Sequence, residues 1–336
     1  MSLSPAIYGC AGPELSADEM AFFRDARPWG FFLFARNIVA PDQVLHLTAA
    51  LREAVGHDAP VLIDQEGGRV QRLGPPHWRS WPAGRRYGEL YERDAEKGLH
   101  AARLGARLMS AELRSIGITV DCLPVLDVPV SGAHAVIGDR AYAGEPGAVA
   151  ALGRAAAEGL MAGGVLPVIK HIPGHGRAGV DSHEKLPVVD ASLDELETDF
   201  APFRALRSMP LAMTAHVVYT ALDPGNPATT SVTVIRDTIR ARIGFEGLLM
   251  SDDLSMKALR GGLAERTRAA LAAGCDLVLH CNGDMTEMEA VAREATMLAG
   301  ESLTRSEAAL ARHVPPSEPL DTDSAFAEFS QFMSLA

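Results

Sequence analysis

Apolar and polar positions along the chain alternate between two periods. Short, continuously apolar runs are expected as strands at Ala6–Gly9, Gly30–Phe34, Val61–Asp64, Thr119–Asp127, Leu166–His171, Ala212–Val217, Gly247–Asp252 and Leu277–Cys281. Between them lie helical patterns such as Gly98–Ile116, Pro146–Ala162, Leu193–Leu206, Val234–Ile243 and Leu263–Ala273. Ser16 with Glu19, and Ser192 with Glu195, have the spacing of capping boxes that open helices. The pairs Ile116–Gly117, Ile243–Gly244 and Ala273–Gly274 read as helix stops. Buried strands that alternate with helices imply a parallel sheet covered on both faces. About eight such units over 336 residues predict an α/β fold of the single-domain (β/α)8 TIM-barrel type.

The polar residues that end these runs sharpen that expectation. Asp64, Asp127, Lys170 with His171, His216 and Asp252 with Asp253 each stand at the end of an apolar run. In a barrel these ends converge on one face, where barrel enzymes hold their chemistry; in an open sheet they would spread along an edge. Residues 1–314 are expected to form the barrel. The acidic tail over 315–336 is expected to end in a short helix packed on its outside.

Composition narrows the function. Hydrophobic residues at 47% and charged residues at 22% are ordinary for a globular chain. A net charge of −12 without a basic run excludes nucleic acid and anionic membrane surfaces as expected partners. The longest apolar run near the start, Phe31–Ala35, is far short of the ~20 residues that span a bilayer. The opening residues lack the pattern of a secretory signal. Cys10, Cys122, Cys275 and Cys281 are scattered in apolar stretches and read as reduced, buried thiols. A cytoplasmic protein is expected.

Three constellations could carry chemistry. The segment KHIPGHGRAGVDSH, Lys170 to His183, leaves a strand end through Pro173, Gly174, Gly176 and Gly179, so it is a loop and a candidate lid. It brings His171, His175, Asp181 and His183 together, and a carboxylate at Asp181 could orient the imidazole of His183. A metal site there is disfavoured: Pro173 and Gly174 deny His171 and His175 the helix that would put them on one face. The segment GLLMSDDLSM delivers two carboxylates at a strand end. Side chains alternate along a strand, so Asp252, on the face of Met250, points to the barrel mouth, where an aspartate can act as a nucleophile. Asp253 is expected to cap or brace the following segment, a helix near Met256. In VLIDQEGGRVQR, Asp64 ends a strand, Gly67 and Gly68 allow a sharp turn, and Arg69 and Arg72 lie within reach of the mouth. Carboxylate and guanidinium groups of this kind suit sugar hydroxyls.

The motifs KHIPGHG…DSH, LIDQEGGRVQRL, GDRAYAG and LLMSDDLSM, in that context, closely resemble the cytoplasmic bacterial β-N-acetylglucosaminidases of glycoside hydrolase family 3. The resemblance runs from about Gly9 to His313. It implies a retaining hydrolase that removes a terminal, non-reducing β-linked N-acetylglucosamine (GlcNAc). In its terms Asp252 is the nucleophile, His183 the general acid/base and Asp181 its dyad partner. Asp64, Arg72, Arg140, Lys170 and His171 bind the sugar. Members act on muropeptide fragments in peptidoglycan recycling, typically GlcNAc linked to 1,6-anhydro-N-acetylmuramic acid, so GlcNAc-containing muropeptides are the expected small-molecule partners, with no cofactor, metal or obligate protein partner. Arg177 stands where many relatives carry an acidic residue after PGHG. The alternatives are a β-N-acetylglucosaminide phosphorylase using the same intermediate, a metal-dependent barrel hydrolase and a non-catalytic sugar-binding barrel.

Overall fold

The computed structural model describes residues 3–182, 185–316 and 318–335. The eight expected strands are present as β1 (Ser4–Tyr8), β2 (Pro28–Leu33), β3 (Val61–Ile63), β4 (Val120–Asp121), β5 (Leu166–Ile172), β6 (Leu211–Thr214), β7 (Leu248–Asp253) and β8 (Leu277–His280). Each pairs in parallel with its neighbours in sequence, and β8 closes on β1 through Ala6 opposite Val278. The chain is therefore the (β/α)8 barrel that the alternation predicts.

Strand parity divides the core into two layers. Ile7, Phe32, Leu62, Val120, Val168, Met213, Met250 and Leu279 fill the barrel interior. Ala6, Phe31, Val61, Ile169, Ala212, Leu249 and Val278 face outward onto the helices. Extending the inward set by two residues reaches Asp64 from Leu62, Lys170 from Val168 and Asp252 from Met250. The packing of the barrel thus decides which polar residues appear at its C-terminal mouth.

The helices that form the outer layer follow their sequence signals. Helix α1 (Ala17–Ala26) begins at the Ser16–Glu19 capping box. Then come α2 (Pro41–Val55), α3 (Gly84–Arg93), α4 (Ala95–Ser115) and α5 (Pro146–Ala162). Helix α6 (Leu193–Ala205) opens on the Ser192–Glu195 box. Helices α7 (Leu263–Ala273), α8 (Met285–Ala292) and α9 (Gly300–Leu310) complete the ring. The helix of α10 (Thr322–Met333) lays Phe329 against Trp81, with ring centroids 5.5 Å apart, and against Tyr87.

Two expectations need correction. The run Thr119–Asp127 is a regular strand only at Val120–Asp121. Pro124 has no N–H to give a ladder, although the segment still tracks β5, its Leu126 N–H donating to the Lys170 carbonyl at 2.7 Å. The helical segment Val234–Ile243 is wound as a π-helix, a distinction that apolar spacing alone does not make.

At the N-terminal end of the barrel, the buried carboxylate of Asp276 joins four elements. One oxygen accepts from the Leu249 N–H at 2.9 Å and Arg240 Nη2 at 2.7 Å; the other accepts from Ser302 Oγ at 2.7 Å and Arg305 Nη1 at 3.0 Å. Asn in its place keeps the volume and loses the charge that both guanidiniums use. Asp276→Asn is expected to lower the unfolding free energy by about 3 kcal/mol, the scale for breaking a buried pair, measured by urea denaturation. A change within about 0.5 kcal/mol, typical of neutral surface sites, would show that this clasp does not hold the barrel floor.

Candidate active site

The C-terminal mouth holds a cavity of about 330 Å³. Asp64, Arg72, Arg140, Lys170, His171, Asp181 and Asp252 all line it, with Phe34, Val136, Ile137, Met213, Met256 and Leu279 among the apolar residues of its wall. The structure therefore brings together the expected site residues except His183, which lies outside the described residues. A volume at the small end of ligand pockets suits one sugar ring better than a chain of them.

The floor of one side is a row of alternating charges. Lys170 Nζ donates to Asp64 Oδ1 at 2.7 Å and meets Glu66 Oε1 at 2.6 Å. Asp64 Oδ2 accepts from Arg72 Nη2 at 2.9 Å. Both oxygens of Glu66 accept from Arg140, at Nε and Nη2, each at 2.8 Å. Burial alone would push Asp64 up, but Lys170 and Arg72 overcome it and hold its carboxyl well below the usual carboxylate range. Burial disfavours the Lys170 ammonium too, and Asp64 with Glu66 more than offset it. These groups stay charged at neutral pH.

Local chain chemistry places them. After β3, Gln65–Gly67 and Val70–Gln71 form a two-stranded hairpin whose turn uses Gly67 and Gly68 at φ of +89° and +58°, a region where side chains are strained. The Gln65 amide fixes the returning strand, its Oε1 accepting from the N–H groups of Arg72 and Leu73 at 3.0 Å. Arg72 is then stacked over Phe34, with its guanidinium carbon 4.9 Å from the ring centroid. Arg69 takes a structural part: its Nη2 donates to the carbonyls of Ala135 and Val136, which holds the wall segment against the cavity.

Asp127 organises the base of the loop after β5. Its Oδ1 accepts from the backbone N–H groups of His171 at 3.2 Å and His175 at 2.7 Å, and its Oδ2 from His171 Nδ1 at 2.7 Å. Burial would raise this carboxyl, but the His171 ring and the bonds from His175 bring it to about 2. With Nδ1 committed to Asp127, His171 is left with Nε2 to offer at the cavity. His175 sits deeper, and its Nε2 lies 3.2 Å from Ser182 Oγ, joining the two ends of the loop. Arg177 ties the same loop to α6, its Nε donating to Asp199 at 2.6 Å and its Nη2 to the Glu195 carbonyl at 2.9 Å. Burial raises Asp199 to about 6 even so.

At β7 both aspartates line the cavity, against the expectation that only Asp252 would reach it, and their hydrogen bonds differ. Asp252 continues the inward face of Met250, and its Oδ1 accepts from the Asp253 N–H at 2.8 Å. Asp253 turns to its own chain, accepting from the Ser255 N–H at 3.1 Å and Ser255 Oγ at 2.5 Å. What it caps is a turn rather than a helix near Met256. His216 supports this corner from below: one ring nitrogen lies 2.6 Å from Thr229 Oγ1, and the other donates to the Asp253 carbonyl at 3.0 Å. Among the described residues no three His, Cys, Asp or Glu side chains converge as a metal site, and all four cysteines are free and buried.

The model of the glycosyl hydrolase family 3 N terminal domain matches residues 15–312. The chain belongs to glycoside hydrolase family 3. A β-hexosaminidase of Aromatoleum aromaticum is 38% identical over 315 residues, which cover 92% of this chain and 88% of that one. A β-hexosaminidase of Thioalkalivibrio sulfidiphilus is 42% identical over 289 residues, 84% of this chain and 82% of the relative. Among solved structures, NagZ from Neisseria gonorrhoeae in complex with N-trifluoroacetyl-D-glucosamine superposes with a TM-score of 0.86 at 33% identity, covering all of this chain and 97% of that one. A family 3 β-N-acetylglucosaminidase from Paenibacillus also gives 0.86 at 30% identity; this chain spans 66% of its length. These relatives place the chain among the β-N-acetylhexosaminidases of family 3.

Sequence reasoning missed Glu66, the clasp made by Asp127, and the inner position of His175. The signal for Glu66 was its spacing: it stands two residues beyond Asp64 and just before the Gly67–Gly68 turn, and it meets Lys170, the one cation it shares with Asp64.

The buried histidine gives this family 3 site an acid sensitivity. Burial, with His171 beside it, pushes the His175 imidazole down to about 4, from an ordinary 6.5. Between those values the unfolded chain binds a proton that the folded protein refuses, so stability falls as pH drops through the window, by at most about 1.4 kcal/mol per pH unit for this residue. His216 and His280, lowered by burial as well, act in the same sense. Urea unfolding across this range is expected to show the decline, with a shallower slope in His175→Asn. An unchanged slope in the variant would assign the sensitivity to other groups.

Proposed function

We propose that the chain is a retaining exo-β-N-acetylglucosaminidase that removes terminal, non-reducing GlcNAc from muropeptides such as GlcNAc–1,6-anhydro-N-acetylmuramic acid, in the cytoplasm, during peptidoglycan recycling. The observation that carries the reading is the convergence of Asp252 with Asp64, Arg72, Arg140 and Lys170 on one cavity sized for a single sugar. No helix among the described residues is long and apolar enough to cross a membrane.

In this reading the polar row binds and Asp252 reacts. Asp64 spends one lone pair of each oxygen on Lys170 and Arg72, and those left accept sugar hydroxyls. Lys170, with two of its three N–H bonds committed, has one to donate. The His171 ring, fixed by Asp127, adds a further polar edge. The Asp252 carboxylate forms a bond to the anomeric carbon as the bond to the aglycone oxygen breaks, and the His183 imidazolium gives that oxygen its proton. Water then attacks the anomeric carbon, His183 takes the water proton, and the bond to Asp252 breaks to release GlcNAc. Asp181 orients the His183 ring. An imidazolium gives a proton and the neutral ring takes one back, so one side chain can serve as acid and then as base.

Hydrolysis of an aryl β-N-acetylglucosaminide is expected to proceed in the presence of EDTA and without dependence on phosphate. Asp252→Asn, nearly isosteric, is expected to lower kcat by about three orders of magnitude or more with unfolding unchanged. His183→Ala is expected to lose more on a poor leaving group, such as the disaccharide, than on nitrophenol. Phosphate-dependent product would establish the phosphorylase. Loss of activity with EDTA would establish a metal-dependent hydrolase, and sugar binding without turnover a binding barrel. Equal losses on both substrates would make His183 a binding group instead of a proton donor.

A further inference from the structure

We infer that Glu66, buried beneath the sugar cavity, is a positioning residue that aims Arg140 and Lys170 at a neutral sugar and keeps the same cavity from accepting anions. The inference rests on the reading of that cavity as a GlcNAc site.

Glu66 is not among the residues that line the cavity, and its side chain is 3% exposed. It still fixes two that do. Its Oε1 lies 2.6 Å from Lys170 Nζ, and its two oxygens take Nε and Nη2 of Arg140 in a bidentate fork. Such a fork sets the plane of a guanidinium as well as its place. Arg140 Nη1 also donates to the Val136 carbonyl at 3.2 Å. Its remaining N–H bonds are then the ones available to a ligand. Lys170 is held from one side by Asp64 and from the other by Glu66. With Glu66 removed, Lys170 would keep Asp64 alone, a partner it shares with Arg72.

Charge gives the second half of the inference. Arg72, Lys170 and Arg140 alternate with Asp64 and Glu66 in one chain of contacts. Within this row three cations face two carboxylates. Asp181, Asp252 and Asp253 also line the cavity and offset the excess, so neutralising Glu66 shifts the balance of the site by one charge toward the positive. A buried cluster of that kind attracts a small anion, since few competing waters reach it. GlcNAc is uncharged and gains nothing from the extra charge, while it loses the aimed donors. The carboxylate beneath the site therefore favours a polyol over phosphate.

The experiment compares wild type, Glu66→Gln, Glu66→Asp and Arg140→Met on an aryl β-N-acetylglucosaminide. It measures kcat, KM, competitive inhibition by GlcNAc and by inorganic phosphate, and unfolding in urea. For Glu66→Gln, KM and the inhibition constant of GlcNAc are expected to rise about tenfold or more, the scale for a misaimed charged hydrogen bond. Its kcat is expected to change less, and phosphate is expected to inhibit competitively at concentrations that leave the wild type unaffected. A folded Glu66→Gln with wild-type constants for both inhibitors overturns the inference and leaves Glu66 as an ion pair of the fold. Should Glu66→Gln fail to fold, Glu66→Asp decides: it keeps the charge but is too short to hold both cations, so it is expected to weaken GlcNAc without admitting phosphate. Unchanged GlcNAc inhibition in that variant overturns the inference. The underlying reading is judged by wild type and Arg140→Met. If wild type neither hydrolyses the glycoside nor binds GlcNAc, or if Arg140→Met binds GlcNAc normally, the sugar site itself is misassigned and the role of Glu66 falls with it.

Discussion

The mouth of this barrel is organised by one ammonium group. Lys170 sits almost wholly buried between Asp64 and Glu66, and an isolated charge at that depth would be prohibitively costly. Its two carboxylates make the burial possible, and each carboxylate needs a further cation, which Arg72 and Arg140 supply. The result is a self-satisfying row whose members come from the ends of β3 and β5, from the hairpin after β3 and from the segment after β4. Moving any one of them leaves another charge without its partner. That mutual dependence is a physical reason for rigidity on the charged side of the cavity.

Around this row the fold provides two supports of different kinds. Asp127 is a carboxylate used as a backbone clamp. By accepting the N–H groups of His171 and His175 it replaces strand pairing just where the chain leaves β5. His216 does the corresponding work for β7, donating to the carbonyl of Asp253. The proposed nucleophile is thereby held by a strand on one side and by a buried imidazole beneath its neighbour. The apolar half of the cavity, with Met213, Met256 and Leu279, needs no such device because packing alone fixes it.

Much of this was legible in the chain because burial imposes period. Inward positions along each strand must be apolar as far as the barrel is filled, so the first polar residue on that face marks the mouth. Asp64, Lys170 and Asp252 obey that rule without reference to any relative. The capping boxes at Ser16 and Ser192 worked for a similar reason, since their chemistry is local. What local chemistry does not contain is the partner chosen across space. Glu66 meeting Arg140, 74 positions away in sequence, is decided by how the hairpin folds over the barrel. The shortening of the fourth strand at Pro124 and the π winding of Val234–Ile243 depend likewise on packing that spacing does not report. Arg177 was visible as a departure from related loops, but its bond to Asp199 emerged only with α6 in place.

The shape of the cavity has a kinetic corollary. Its base is closed by the filled barrel interior, so in the proposed mechanism a sugar held on Asp252 leaves through the mouth by which it came. During the first half-reaction that opening is occupied by the remainder of the substrate. On that proposal the aglycone departs before water approaches along the same path, and the monosaccharide leaves last. Order of release is thus written into a dead-end pocket: whichever fragment blocks the door goes first, and free monosaccharide is the species that can return to an empty enzyme and compete with the next substrate.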